Sequence, residues 1–327
     1  MLISELSFSD VVPSEIRDCN TWVVGLSGGA DSLCLTLLAH SYAAKQNIRV
    51  IAGIVDHKLR PESSSEILPT IALLKHIGIE HEVLVWEHPA DIGGSIELKA
   101  RHARYNLLYR LCKSVGGNVL LTAHHALDQW ETFFMRLSRG SSIKGLTGIR
   151  SISRLKDVTL FRPLLKFSPG DIRQTLRERF DVHSYVDDPS NRDSRFERVR
   201  WRRVYSVFAN RYHLDTDSVG KSIERLQVAD NCLDQMARDA LADVFDGTCI
   251  AGEKFSGLHC ELKMRVLDMV IKTISPKSKR IISYSLLRRT VHDMCQDEFV
   301  ATNLSGLVLR KQGGGSNRIA VSVEDRP

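Results

Sequence analysis

The densest concentration of residues able to do chemistry is Ser27-Gly28-Gly29-Ala30-Asp31-Ser32, which interrupts the apolar run WVVGL and leads at once into LCLTLLAHSYAAKQ. A strand, a small-residue turn and a helix in that order present backbone N–H groups and the positive end of a helix dipole, which together favour an anion. Gly28 and Gly29 remove Cβ atoms that would hold a phosphate away from the main chain. Ser27 and Ser32 add hydroxyls, and Asp31 is a hard oxygen ligand suited to magnesium. A plain turn with a serine cap is the alternative for Ser-Gly-Gly alone. Neither common glycine motif is present: the lysine of G-x-x-x-x-G-K-[ST] is missing, and G-x-G-x-x-G does not occur.

Further candidates lie where other apolar runs end. Asp56 and His57 close VIAGIVDH, where a nucleoside contact and a plain turn pair are both open readings. Arg101 and Arg104, three apart on a helical pattern, share a face and suit bidentate binding of a carboxylate or phosphate, with an exposed arginine face as the alternative. His124 and His125 end NVLLTAHH, and Asp128 and Glu131 follow three apart on the next helical face. That spacing clusters acids and bases at one edge, although a capping pair would look the same. From 192 to 203 the chain carries six arginines against two acids. Arg195, Arg198 and Arg202 recur there at helical spacing, which in an anonymous protein reads first as a solvated face.

These residues need elements to hold them. Val- and Ile-rich runs of strand length alternate with amphipathic runs of 12 or more residues: VVGL, VIAGIVDH, HEVLVW, NVLLTAHH and VTLFRPLL on one side, the intervening helical patterns on the other. Such βαβ repetition predicts an α/β domain with a doubly wound parallel sheet. SPGDIRQTLRERF predicts a helix with Ser168 as N-cap, Pro169 in its first position and Asp171 at its positive end. HLDTDSVG makes a polar break. Beyond it, SIERLQVADNCLDQMARDALADVF is helical in period, and LVLRKQGGGSNRIAVSV suggests a hairpin. The expected division is 1–212 and 213–327, the second part smaller and mostly helical.

Composition sets bounds. At 327 residues the chain is comfortable as two domains. No apolar run reaches the length of a membrane helix, and MLISELSFSD has no basic region followed by an apolar core, so a cytoplasmic protein with no membrane partner is expected. Seven scattered cysteines, none in a C-x-x-C pair, argue against a disulfide framework and a zinc site; Cys34 reads as a small buried hydrophobe. The net charge of +6 is mildly basic.

SGGADS matches the SGGxDS loop of the PP-loop ATP pyrophosphatases. VDHKLRPESS (55–64), ARHARY (100–105), TAHHALDQWETFFMRLSRGSSIKGLTGI (122–149), FRPLL (161–165) and DDPSNRDSRFERVRWR (187–202) then resemble motifs of tRNA(Ile)-lysidine synthetases, in family order. The resemblance covers roughly residues 20–205. It implies the PP-loop, adenine nucleotide alpha hydrolase-like fold and an ATP-dependent ligation. AMP is joined to the C2 oxygen of the wobble cytidine of a tRNA(Ile) bearing a CAU anticodon, and the amine of free L-lysine then displaces it. Ser27, Gly28, Gly29, Ala30, Asp31, Ser32, Asp56 and His57 would hold ATP, and Asp31 and Asp128 would take Mg2+. Asp31, Arg104, His125, Asp128 and Glu131 would serve catalysis, with Glu131 recognising lysine or orienting a neighbour. Arg139, Arg192, Arg195, Arg198 and Arg202 would hold tRNA phosphates, contacts that position RNA without reading bases. The resemblance leaves room for a homodimer.

Two positions depart from the family pattern. Leu127 stands where a second acid precedes the glutamine, and Ser142 where glycine is usual. Longer members carry a further C-terminal module that is not placed here. The competing readings are a PP-loop tRNA thiolase, disfavoured by the missing C-x-x-C, and a catalytically impaired tRNA-binding relative.

Overall fold

The run TWVVGL forms a strand because its side chains alternate between two apolar layers. The computed structural model describes residues 2–58, 63–89, 96–186, 193, 195, 197–275, 282–313 and 317–323. In chain order the elements are α1 (Glu5–Val11), α2 (Ser14–Arg17), β1 (Thr21–Leu26), α3 (Ala30–Gln46), β2 (Arg49–Asp56), α4 (Ser63–Glu66), α5 (Leu68–Ile77), β3 (Glu80–Val85), α6 (Ile96–Ser114), β4 (Val119–Leu121), α7 (Ala126–Leu137), α8 (Ile143–Leu146), β5 (Ile152–Leu155) and β6 (Val158–Phe161). A 3-10 turn (Pro163–Lys166) follows, then α9 (Pro169–Phe180), α10 (Glu197–Tyr212), α11 (Thr216–Val244), β7 (Cys249–Ala251), α12 (Gly252–Ser256), α13 (Cys260–Ile274), α14 (Tyr284–Met294), β8 (Ala301–Leu304), β9 (Leu307–Lys311) and β10 (Arg318–Val323).

Residues 1–138 and 148–223 make one compact unit, and 139–147 with 224–327 make another. The first unit is built on a six-stranded sheet of order β3-β2-β1-β4-β6-β5, parallel except for the edge strand β5. Trp22, Val24 and Leu26 of β1, with Ala52, Ile54, Val119 and Leu121, pack into one layer with α1, α3 and α9. Val23, Ile51, Leu120, Val158 and Leu160 point the other way, onto Leu108 and Leu111 of α6. Each fully enclosed side chain of this size contributes about 1.5–3 kcal/mol. Both layers hold a buried cysteine, Cys34 in the first and Cys112 in the second, and burial pushes each thiol up to about 12.

From β1 the chain winds outward to β2 and β3, then returns to place β4 on the other side of β1. The connections therefore diverge between β1 and β4, and a doubly wound sheet binds ligands outside the carboxyl ends of its strands at such a point. The loops Ser27–Gly29 and Thr122–His125 leave the sheet there.

Several local expectations meet physical competitors. VTLFRPLL stops being a strand at Phe161, since Pro163 has no N–H to give a ladder and opens the 3-10 turn. The helix at 169 forms as expected, with a complete capping box between Ser168 and Asp171. The polar break HLDTDSVG is shorter than its composition suggests: Asp215 accepts from Ser218 N–H at 2.8 Å, and α11 begins at Thr216.

The second unit combines α12, α13 and α14 with a four-stranded sheet of order β7-β10-β9-β8. Phe255, Leu267, Val270, Leu309 and Ile319 lie in its core. The expected hairpin is present as the antiparallel pair β9–β10, though 314–316 of its glycine-rich turn lie outside the described residues. β5, β7 and β8 are short strands that the sequence does not announce.

Candidate functional site

Gly28 takes φ +83°, a conformation that L side chains rarely adopt; a Cβ there would also meet Val186 Cγ2 at 3.0 Å and Thr70 Oγ1 at 3.1 Å. Its carbonyl accepts from Val186 N–H at 3.1 Å. Ser32 Oγ donates to Gly29 O at 3.0 Å and accepts from Ser27 N–H at 3.1 Å, so this hydroxyl shapes the loop from within. Ser27 Oγ lies 3.0 Å from Ser32 Oγ. Gly29 is the N-cap of α3 and supplies no side chain, which leaves the N–H groups of the first turn, Ala30 and Asp31 among them, without a side-chain cap.

The loop after β4 brings a second set of groups to the same edge. His125 is the N-cap of α7: its N–H donates to Asp128 Oδ2 at 2.9 Å, and its Nδ1 accepts from Asp128 N–H at 3.4 Å. The other ring nitrogen, Nε2, lies 3.5 Å from Asp31 Oδ2. Asp31 and Asp128 therefore share one imidazole, with the Asp31 side chain 40% exposed. Burial disfavours charge on His125, but Asp128 and Asp31 outweigh it and hold the imidazole above its ordinary value. Burial also opposes charge on Asp128, yet His125, His124 and the His125 N–H keep that carboxyl below the usual carboxylate range. His124 behaves oppositely: burial, helped by Arg162, lowers its pKa to about 4 despite Asp128, so it is neutral at physiological pH. Its Nδ1 stands 3.1 Å from Thr122 Oγ1.

Glu131, one turn further along α7, is fully enclosed. Oε1 accepts from Arg202 Nε at 2.7 Å, and Arg198 Nε lies 4.0 Å from Oε2. Burial raises the Glu131 carboxyl, with Arg202 opposing it. α10 reaches α7 through aromatic contacts: Trp130 meets Tyr205 at 5.2 Å and Trp201 at 6.3 Å between ring centroids.

The remaining candidates are more dispersed. Asp56, 4% exposed, accepts from Lys58 N–H at 2.9 Å. The His57 ring meets Trp86 edge-on at 5.9 Å, and the His57 carbonyl accepts from His88 Nε2 at 3.0 Å. Arg101 and Arg104 are exposed on α6, with Arg101 over the Tyr105 ring at 5.1 Å. Arg195 stands before α10 rather than on it and pairs with Asp193 at 2.6 Å. Arg139 is exposed and belongs to the second unit, while Arg192 lies outside the described residues.

Comparison with known proteins decides the family. Residues 4–207 match the family described as PP-loop domain. The tRNA(Ile)-lysidine synthase of Wolbachia pipientis wMel is 34% identical over 318 residues, covering 94% of this chain and 72% of that one. The chain belongs to the tRNA(Ile)-lysidine synthase family of PP-loop proteins. The synthase of Bradyrhizobium sp. (strain BTAi1) is 33% identical over 272 residues, with 79% of this chain and 75% of that one covered. Among solved structures, the U34-tRNA thiolase NcsA from Methanococcus maripaludis shares the fold, with a TM-score of 0.58, 19% identity, and 68% of this chain and 77% of that one covered.

Both departures from the lysidine synthase pattern have a local explanation. Leu127 is buried with Trp130, Val219 and Ile223, so the position packs against the start of α11 while Asp128 faces His125. Ser142 sits at φ −66° and ψ 174°, a region open to any residue, and needs no glycine. The residues that sequence reasoning missed hold the site from behind. Gln129 donates to Ile149 O and accepts from Ile149 N–H, both at 2.6 Å. Gly148, at φ +64°, makes room: a Cβ there would lie 2.4 Å from Gln129 Oε1. Trp130 Nε1 donates to Leu214 O at 2.8 Å. The adjacency of Gln129 to Asp128 was a signal, but its partner lies 20 residues away.

Proposed function

We propose that this lysidine synthase family member joins L-lysine to C2 of the wobble cytidine of an isoleucine tRNA with a CAU anticodon, at the expense of ATP. The C2 oxygen attacks the α-phosphorus of ATP, forming an O–P bond as the bond to pyrophosphate breaks. The lysine amine then attacks C2, the C–N bond forms, and AMP departs with the former C2 oxygen while the amine loses a proton. The observation that carries the reading is the meeting of the Ser27–Gly29 loop and the Asp31–His125–Asp128 group where β1 and β4 diverge.

In this scheme Gly28, Gly29 and the first N–H groups of α3, including those of Ala30 and Asp31, cradle the phosphates, with Ser27 and Ser32 shaping the loop. Asp56 and His57 contact the nucleoside. The donor set fits Mg2+: Asp31 and Asp128 are hard oxygen ligands gathered by one imidazole, and magnesium is ordinarily held by one or two carboxylates together with substrate phosphates. When bound, the ion neutralises charge on the pyrophosphate leaving group. His125 fixes the two carboxylates, Glu131 meets the lysine ammonium, and Arg101 or Arg104 the lysine carboxylate. Arg139, Arg192, Arg195, Arg198 and Arg202 contact RNA phosphates. Such a substrate places the protein in the cytoplasm; among the described residues no helix is long and apolar enough to cross a membrane. Light scattering of the purified chain distinguishes a monomer from a homodimer.

The deciding experiment is incorporation of labelled lysine into an unmodified isoleucine tRNA transcript bearing CAU, with ATP and magnesium present. Incorporation that vanishes when the wobble cytidine is replaced supports the reading. A folded, ATP-binding protein that incorporates none refutes it.

A further inference from the structure

The oxygens of Glu131 are served unequally. Oε1 accepts from Arg202 Nε at 2.7 Å, whereas Oε2 has no hydrogen-bond partner among the described residues and sees Arg198 Nε only at 4.0 Å. Arg202 is committed to Glu131 through Nε alone; its terminal nitrogens and those of Arg198 hold no hydrogen bond among the described residues. Their side chains are 38% and 41% exposed, against 0% for Glu131. α10 is seated on α7 by Trp201, Tyr205 and Phe208 against Trp130, so the arginines can change partner without their helix leaving.

We propose that Glu131 and Arg202 form an exchange pair: RNA phosphate takes Arg202 and Arg198, and the carboxylate released takes the ammonium of the incoming amine. The inference rests on the lysine-transfer reading above and adds an order of binding to it. Two adjacent guanidinium forks suit one phosphate. Withdrawing one partner from a buried ion pair leaves an uncompensated charge, which is strongly unfavourable until another cation arrives. Before RNA binds, Arg202 occupies the carboxylate and keeps the amine subsite closed. With RNA seated, the same carboxylate attracts the amine. By linkage the effect is reciprocal, so lysine also strengthens RNA binding. Glu131 and Arg202 act as positioning residues that make the amine wait for its acceptor.

The test is equilibrium dialysis of labelled lysine against the full chain, without ATP, in the absence and presence of saturating unmodified isoleucine tRNA transcript bearing CAU. RNA is expected to tighten lysine binding by about 5- to 150-fold, the usual range for coupled sites. Arg202→Gln should tighten lysine binding without RNA and abolish the RNA effect, whereas loss of a merely structural contact would weaken it. Arg202→Lys, which keeps a cation beside Glu131, should retain part of the coupling. Wild-type lysine affinity that does not change on adding RNA overturns the exchange, and that arm needs no variant to fold. A failed incorporation assay sinks the lysine-transfer reading itself; incorporation with uncoupled lysine binding sinks only the exchange.

Discussion

Arg265 and Glu131 are both buried charges, and their surroundings are built to different ends. Arg265, in the second unit, has a side chain 4% exposed and lies within reach of Asp234 at 2.6 Å, Asp230 at 2.8 Å and Glu261 at 2.9 Å. Its guanidinium ties α13 to α11 and is surrounded on several sides by acids. Glu131 spends one oxygen on Arg202 and leaves the other without a hydrogen bond among the described residues, beside Asp128 and at the edge where the sheet's connections diverge. Burial of a charge therefore says little about function. What separates the two clusters is how fully the charge is met, by three acids within 2.9 Å around Arg265 but by one guanidinium at 2.7 Å and a second only at 4.0 Å around Glu131, and where each cluster sits.

The sharpest way to break this contrast is to compare losses of turnover with losses of stability. Asp31→Asn should lower ATP-dependent lysine transfer by about a thousandfold, on the scale of removing one preorganised charge-stabilising group. Because the Asp31 side chain is 40% exposed, its thermal unfolding should change little; calorimetry beside a turnover assay checks both. Arg265→Ala should do the reverse. Stranding its acids costs about 3–5 kcal/mol in denaturant unfolding, while turnover per folded molecule stays unchanged. A large kinetic defect in folded Arg265→Ala would erase the distinction.

Leu127→Asp sharpens the point within the first unit. The substitution restores the acid usual in the family but buries it among Trp130, Val219 and Ile223. A loss of about 3 kcal/mol in stability with no gain in turnover is expected; faster turnover would show that a second carboxylate was wanted there. The smallest effect concerns His124, whose folded pKa of about 4 lies below the ordinary imidazole value of 6.5. Between those values the unfolded chain binds the extra proton, so acidification through that window lowers stability, and the loss ends once the native imidazole also titrates. His124→Asn should remove this acid sensitivity, a slope of at most about 1.4 kcal/mol per pH unit, read from urea midpoints across that range. An unchanged slope would place the sensitivity elsewhere.

The parts of the molecule that were legible in its sequence are those whose cause is local. Ser27–Ser32 declares itself through six consecutive residues, and the succession of strand-length and helix-length runs is enough to imply the parallel sheet. The helix start at Ser168, with Pro169 and Asp171, is declared within four residues. What stayed hidden depends on distant partners. The bond from Arg202 to Glu131 spans 71 residues, and that from Trp130 to Leu214 spans 84. Arginines at helical spacing read equally well as a solvated face, and nothing local shows that one of them reaches a carboxylate buried on another helix. The short strands β5 and β7 likewise depend on neighbours supplied from elsewhere in the chain.

Cys34 and Cys112 stand on opposite faces of the central sheet, each with its thiol pushed up to about 12, whereas Cys232 and Cys260 are exposed. The chain thus carries its own reporters of how it comes apart. Alkylating reagents mark the two exposed sulfurs at once and reach the buried ones only when a layer lifts from the sheet. Modification of Cys34 before Cys112 would time the departure of the helices that flank the phosphate loop, and the opposite order would time that of α6.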